Sequence, residues 1–190
     1  MNLKGKNAIV TGGGRGLGKA VALLLAKEGV NIGITGRNEE NLKSTVEELK
    51  GLGIQAFYSI FSMDEETAVQ NGIANLAKDL GGIDILINNA GIGDFGSIAE
   101  MPSETWEQVI RSNLFGVYYA AKAVYPFLKE KGEGDVVNVA STAGLKGGPN
   151  MSAYAASKAA VVSLSQSMMA EWRKENIRVI TLTPSTIASD

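Results

Sequence analysis

The chain has 190 residues, 45% hydrophobic and 20% charged, with 23 Gly, 4 Pro and a net charge of −2. That is the balance of one ordinary globular domain, large enough to bury a core and neither disordered nor low-complexity. A near-neutral, slightly acidic chain lacks the basic face that nucleic acid requires, no apolar run reaches membrane-spanning length, and no charged-then-apolar leader opens the sequence. With no Cys and no His, disulfide frameworks, thiol nucleophiles, Ser-His-Asp triads and imidazole-ligated zinc are excluded. Acid–base chemistry must rest on Tyr, Lys, Asp, Glu or a hydroxyl. The carboxylates are scattered along amphipathic stretches as solvated faces, so no metal is expected. A cytoplasmic location is the simplest expectation.

Two textures alternate along the chain. A short apolar run over 7–11 ends at glycines, and Val21, Leu24 and Leu25 then recur at helical spacing up to Gly29. Strand-like 31–35 precedes a helical stretch over 39–49, and 54–60 precedes another over 64–80. A fourth strand, 84–88, has the composition of a strand buried on both faces. Helical stretches over 104–112 and 117–131 follow, then a strand over 136–140, a long helix over 153–174 and a strand over 177–183. Strands alternating with helices predict a single α/β domain: a doubly wound, Rossmann-type parallel sheet with helices on both faces. No linker, repeat or charge block divides it.

The sharpest motif follows the first strand. Thr11-Gly12-Gly13-Gly14-Arg15-Gly16-Leu17-Gly18 leads straight into a helix. Residues without Cβ let the backbone approach phosphate while a helix N-terminus points at it. The G-x-G-x-x-G spacing fails, because Leu17 and Lys19 stand where its last Gly would fall; the pattern is T-G-x-x-x-G-x-G. No Gly-Lys-Ser/Thr follows, which argues against a mononucleotide P-loop. A glycine-rich connection without a ligand would look similar, but its place after the first strand favours a dinucleotide cradle formed by Gly12, Gly14, Arg15, Gly16, Leu17 and Gly18. An NAD site of this build carries an acid at the end of the second strand. Here that strand ends Ile34-Thr35-Gly36-Arg37. Arg37 alone could be a solvated loop residue. With Arg15 on the neighbouring loop it suits a 2′-phosphate, so NADP(H) is the expected cofactor.

A Tyr followed four residues later by Lys puts both side chains on one helical face. Three such pairs occur: Tyr118 with Lys122, Tyr125 with Lys129, and Tyr154 with Lys158. The first two sit in stretches that look like helix packing. Tyr154 instead opens its helix after the glycine-rich loop 144–149, which follows the fifth strand and its terminal Ser141 and Thr142. Ligands in open α/β sheets bind outside the carboxyl ends of the strands, so only this pair is delivered, with Ser141, to the cofactor edge.

These residues, together with Asn88-Asn89-Ala90-Gly91, Asn113 in Ser112-Asn113-Leu114, and Ser141 thirteen residues before Tyr154-Ala155-Ala156-Ser157-Lys158, resemble the short-chain dehydrogenase/reductase family. Within it the chain looks like the 3-oxoacyl-[acyl-carrier-protein] reductase branch of fatty acid biosynthesis, from Lys6 to the last residue. The resemblance implies that Tyr154 donates the proton, Ser141 orients and polarises the substrate carbonyl, and Asn113 holds a water in a proton relay. It implies that Lys158 binds the nicotinamide ribose, with Tyr154 also counted as cofactor-binding, and that Asn89, Ala90 and Gly91 line the adenosine side. Pro184, Thr186, Ile187 and Ser189 suit the nicotinamide amide loop.

The chemistry is consistent with that assignment. Ketone reduction needs a proton on the oxygen that becomes alkoxide-like; a phenol with a pKa of about 10 can supply it, and a nearby ammonium favours the phenolate left behind.

Departures from the family pattern carry their own expectations. Phe61 stands where relatives usually carry an Asp near the adenine, so the ring is expected to stack there. Gly14 and Ala140 replace common serines, and Ser185 follows Pro184 where Gly is usual. The chain ends at Asp190, where family members continue through substrate-covering helices and a last strand; the natural protein is expected to be longer, since a bare sixth strand invites edge pairing. On the long helix Val161, Leu164, Met168 and Trp172 form a stripe that suits burial against its own sheet; the resemblance implies that this helix and the helix over 117–128 also form a four-helix contact in a homotetramer or homodimer. Three functions remain open: an NADP-dependent 3-oxoacyl thioester reductase, a relative acting on a sugar or other small carbonyl, and a catalytically idle NADP-binding regulator.

Overall fold

The alternating textures settle into β1 (Asn7–Thr11), α1 (Gly16–Lys27), β2 (Asn31–Gly36), α2 (Glu39–Lys50), β3 (Ala56–Ile60), α3 (Glu66–Leu80) and β4 (Ile85–Asn88). Then come α4 (Ser103–Ile110), α5 (Gly116–Lys131), β5 (Gly134–Val139), α6 (Ser152–Trp172) and β6 (Ile177–Leu182). The computed structural model describes residues 3–185. The six strands pair in the order β3-β2-β1-β4-β5-β6, every pair parallel. The order reverses direction between β1 and β4, which is where such a sheet opens a crevice at its carboxyl end.

Strand side chains alternate between two faces, and the core divides accordingly. Ile9, Leu86, Val136 and Val179 face α3 and α5, where Ile73, Leu76, Val124 and Leu128 meet them. Their neighbours Ala8, Val10, Ile85 and Ile87 face the other way, onto a cluster with Ala22 of α1 and Leu42, Val46 and Leu49 of α2. β4 is buried at all four positions, as its composition predicts. On β6 the alternation leaves Ile177 and Val179 buried, with Ile180 and Leu182 about half exposed.

Two elements depart from expectation. The stretches expected as separate helices over 104–112 and 117–131 run on as one helical path, because α4 passes into α5 through a π-helical turn, Arg111–Phe115, whose flanking residues keep helical backbone angles. The turn widens the helix by one residue and carries Asn113 inward, fully buried. Secondly, Tyr118 is not core packing. The inward face of α5 is Val117, Ala120, Ala121, Val124 and Leu128, which leaves Tyr118 46% exposed with Lys122 over its ring. Tyr125 does pack as expected, its ring 4.9 Å from Trp172 and its hydroxyl donating to Glu175 at 2.9 Å. Val161 and Met168 of the α6 stripe are buried against the chain's own core. No helix among the described residues is long and apolar enough to cross a membrane.

Candidate active site

β1 delivers the glycine turn to the crevice, and Thr11 anchors it. Its hydroxyl accepts from the N–H groups of Asn89 and Ala90, both at 3.0 Å, while Asn89 Nδ2 donates to the carbonyl of Thr11 at 3.0 Å. The loops after β1 and β4 are thereby laced across the point where strand order reverses. Gly12 has φ 68, which a residue with Cβ resists. A Cβ on Gly18 would stand 2.3 Å from the Gly12 carbonyl, so only glycine lets α1 begin this close to the turn. α1 starts with no side-chain cap and no acid in its first turn, so its positive end has no internal anion to face.

A cavity of about 730 Å³ opens over this turn. Gly12, Gly14, Arg15, Gly16, Leu17, Gly18, Arg37, Asn89, Ala90 and Gly91, all singled out from the sequence, line it. Arg15 and Arg37 are both exposed at its rim, and no acid is among the lining residues. The nearest acid after β2, Glu39, is engaged with Lys43 at 2.9 Å and with the Tyr58 hydroxyl at 3.1 Å. Asp64 lies close enough to Arg37 to feel its charge, although its carboxyl is held below the usual range mainly by hydrogen bonds from Gln108 and Ser62. Sequence reasoning missed Thr35, Asn38, Asn41, Ser62, Met63 and Ser112 in this lining. Asn38 carried a usable signal, since it caps α2 by accepting the Asn41 N–H at 2.9 Å. Phe61, whose ring is expected to stack on the adenine, lines this cavity too. Its ring is buried in the core beside Val69 and Ile73 and fills the space that Gly72 leaves open, where a Cβ would come within 2.2 Å.

A second cavity of about 470 Å³ adjoins the first, sharing Leu17, Asn89, Gly91 and Ile92. Ser141, Tyr154, Lys158 and Pro184 line it together. Ser141 leaves β5 in extended backbone, and its hydroxyl accepts the Ala143 N–H at 3.1 Å, which keeps its own proton available for an acceptor in the cavity. Tyr154 lies in the first turn of α6, with Lys158 one turn on, its Nζ 5.7 Å from the Tyr154 ring centre. The ammonium donates to the Val139 carbonyl at 2.8 Å and is only 4% exposed. Burial disfavours the charged form and lowers its pKa to about 8.

Asn113 does not line either cavity; it holds the wall behind them. Its Oδ1 accepts the Ile92 N–H at 2.8 Å, and its Nδ2 donates to the Ile92 carbonyl at 2.9 Å and to Ser157 at 3.1 Å. Ser157 in turn donates to the Tyr154 carbonyl at 2.7 Å. A parallel thread runs from Asn88 to Asn138 at 2.9 Å and on to Ser165 at 2.8 Å, pinning α6 to the sheet. A Cβ on Gly144 would stand 2.6 Å from the Lys158 carbonyl carbon, so the short turn after Ser141 presses directly on α6. Thr186, Ile187 and Ser189 lie outside the described residues.

Comparison with known proteins identifies the family. The family model described as short chain dehydrogenase matches residues 6–190. The 3-oxoacyl-[acyl-carrier-protein] reductase FabG of Thermotoga maritima is 35% identical over 187 residues, covering 98% of this chain and 76% of its own. Gluconate 5-dehydrogenase of Gluconobacter oxydans is 32% identical over 189 residues, covering 100% and 74%. The crystal structure of an NAD+-bound xylitol dehydrogenase superposes with a TM-score of 0.94 at 35% identity, over 97% of this chain and 72% of the other. Laced glycine turn, two adjoining cavities and these relatives together place the chain in the short-chain dehydrogenase/reductase family, on the branch that resembles the 3-oxoacyl-[acyl-carrier-protein] reductases.

Proposed function

We propose that this protein is a cytoplasmic NADP-dependent carbonyl reductase, with a 3-oxoacyl thioester as substrate, working as a homotetramer or homodimer. The observation that carries the reading is the convergence of Ser141, Tyr154 and Lys158 on one cavity that opens into the glycine-turn cleft. The cleft fits a dinucleotide: Gly18 and Gly12 leave no side chain in the way, and the uncapped end of α1 suits a pyrophosphate. Arg15 and Arg37, with no acid in the lining, favour a 2′-phosphate over free ribose hydroxyls. Asn89, Ala90 and Gly91 would hold the adenosine side, Lys158 and Tyr154 the nicotinamide ribose, and Pro184 the start of the amide loop.

When bound, the dinucleotide supplies a hydride to the carbonyl carbon. Ser141 donates a hydrogen bond to the carbonyl oxygen, where negative charge develops. Tyr154 transfers its phenolic proton to that oxygen, which completes the alcohol. The Lys158 ammonium stabilises the phenolate left behind. Asn113 has both amide protons engaged, so in this reading it supports a relay water through an oxygen while its side chain fixes the Ile92 loop.

A sugar or polyol substrate is the second reading, favoured by the likeness to gluconate 5-dehydrogenase and xylitol dehydrogenase. The deciding measurement is NADPH oxidation by the intact protein with acetoacetyl thioester, beside NADH and a Tyr154→Phe variant. Turnover that prefers NADPH and collapses by about 10²–10⁴-fold in the variant supports the reading. A preference for NADH overturns the 2′-phosphate argument alone. Cofactor binding without turnover on thioesters or sugars leaves an idle NADP-binding regulator.

A further inference from the structure

The second cavity has a wall that the proton-transfer residues do not explain. Phe95, in the loop after β4, is 62% exposed, yet its ring lies 5.9 Å from the Tyr154 ring, tilted by 55°. Two features hold it there. Gly93 makes room, since a Cβ at that position would stand 3.0 Å from the tip of the Phe95 ring. Beyond the ring, the Gly96 N–H donates to the Asn150 carbonyl at 2.9 Å, tying this loop to the one that leads into α6. Asn150 itself adopts the left-handed region, φ 61, just before Met151, which lines the same cavity. An exposed aromatic is thus braced from both sides against the proton donor.

The polar groups nearby leave little for a hydroxylated substrate. Asn89 and Lys158 are engaged with main-chain carbonyls, and Ser141 and Tyr154 address the reacting oxygen. Thr142 and Ser185 are the remaining hydroxyls among the described lining residues, beside the apolar Phe95, Met151 and Ile92. A chain of substrate hydroxyls laid on this wall would exchange water for hydrocarbon, whereas an alkyl chain gains by the same contact.

Resting on the reductase reading above, we propose that Phe95 is the specificity-determining residue of this site: its ring takes the alkyl substituent of the carbonyl carbon, so the substrate class is an alkyl- or acyl-bearing ketone and not a polyhydroxylated one.

The test compares 3-oxohexanoyl thioester with 5-ketogluconate as substrates for the intact protein, Phe95→Ala and Phe95→Leu, with cofactor titration verifying each fold. The expected result is preference for the thioester in the unaltered protein, and a KM for it raised about tenfold in Phe95→Ala. Phe95→Leu restores most of that loss, and the KM for the keto acid stays level throughout. Equal shifts for both substrates, no shift, or a preference for the keto acid overturns the role of Phe95 while the reductase reading stands. If the unaltered protein binds cofactor but reduces neither substrate, the reductase reading fails, and this inference falls with it.

Discussion

Lys158 shows most clearly how one residue trades stability for chemistry. Its ammonium is held in a nearly dry site by a single carbonyl, and burial brings its pKa from 10.5 to about 8. Between those values the folded chain binds fewer protons than the unfolded chain, so the destabilisation is full below pH 8 and fades as pH rises toward 10.5. Lys158→Met is therefore expected to stabilise the fold by on the order of 1–3 kcal/mol at neutral pH, less whatever the lost Val139 bond contributes. Urea unfolding at pH 7 and pH 10 should show that gain shrinking at the higher pH, and a variant no more stable at pH 7 would contradict the assignment. The same titration has a kinetic face. Carbonyl reduction, measured as kcat/KM, should fall as pH rises through about 8 and the ammonium is lost. Ser141→Ala removes a hydrogen bond aimed at developing charge, and should lower kcat about 10²-fold with little change in KM.

Among the elements, the π-helical turn between α4 and α5 has the widest consequences. One extra residue in the helix turns Asn113 inward, where its amide satisfies both main-chain groups of Ile92 and reaches Ser157. The loop that lines both cavities is thus fastened to the helix that carries Tyr154. Asn113→Ala leaves the part-buried main-chain groups of Ile92 without their side-chain partner and should cost about 1–2 kcal/mol, read as a lower urea midpoint together with lost turnover. Gly144→Ala tests the other side of α6. Its Cβ would intrude on the Lys158 backbone, so kcat should fall by about 10²-fold while affinity for an adenosine 2′,5′-bisphosphate probe is kept. The sequence marked Asn113 through its neighbours Ser112 and Leu114 but pointed to two separate helices, because hydrophobic spacing reports which face is apolar and not how many residues a turn contains.

At the scale of the molecule, the strand order places all of these residues on one edge. Strands β1, β4 and β5 sit side by side, so the glycine turn, the Asn89 loop and Ser141 emerge as neighbours although they are far apart in the chain. The same packing leaves Phe115 of the π-helical turn and Tyr118 of α5 exposed, each with its ring against that of Tyr119. If subunits meet there, Tyr118→Glu should shift sedimentation toward a smaller species; an unchanged assembly would move the interface elsewhere.

What the sequence by itself determined is local and repetitive: six strands, the helices between them, the glycine turn and the one Tyr–Lys pair that follows a strand end. Those features depend on side-chain period and on residues without Cβ, and both can be read from neighbours in the chain. Tertiary structure alone decided that the Phe61 ring sinks against Gly72, that Tyr118 faces outward, that Asn113 is a clamp, and that Phe95 lies against Tyr154. Each of these depends on which distant segment arrives opposite, Phe61 against α3 and Phe95 against the loop before α6. Two residues meet in space because the sheet is ordered β3-β2-β1-β4-β5-β6, and no spacing along the chain records that meeting.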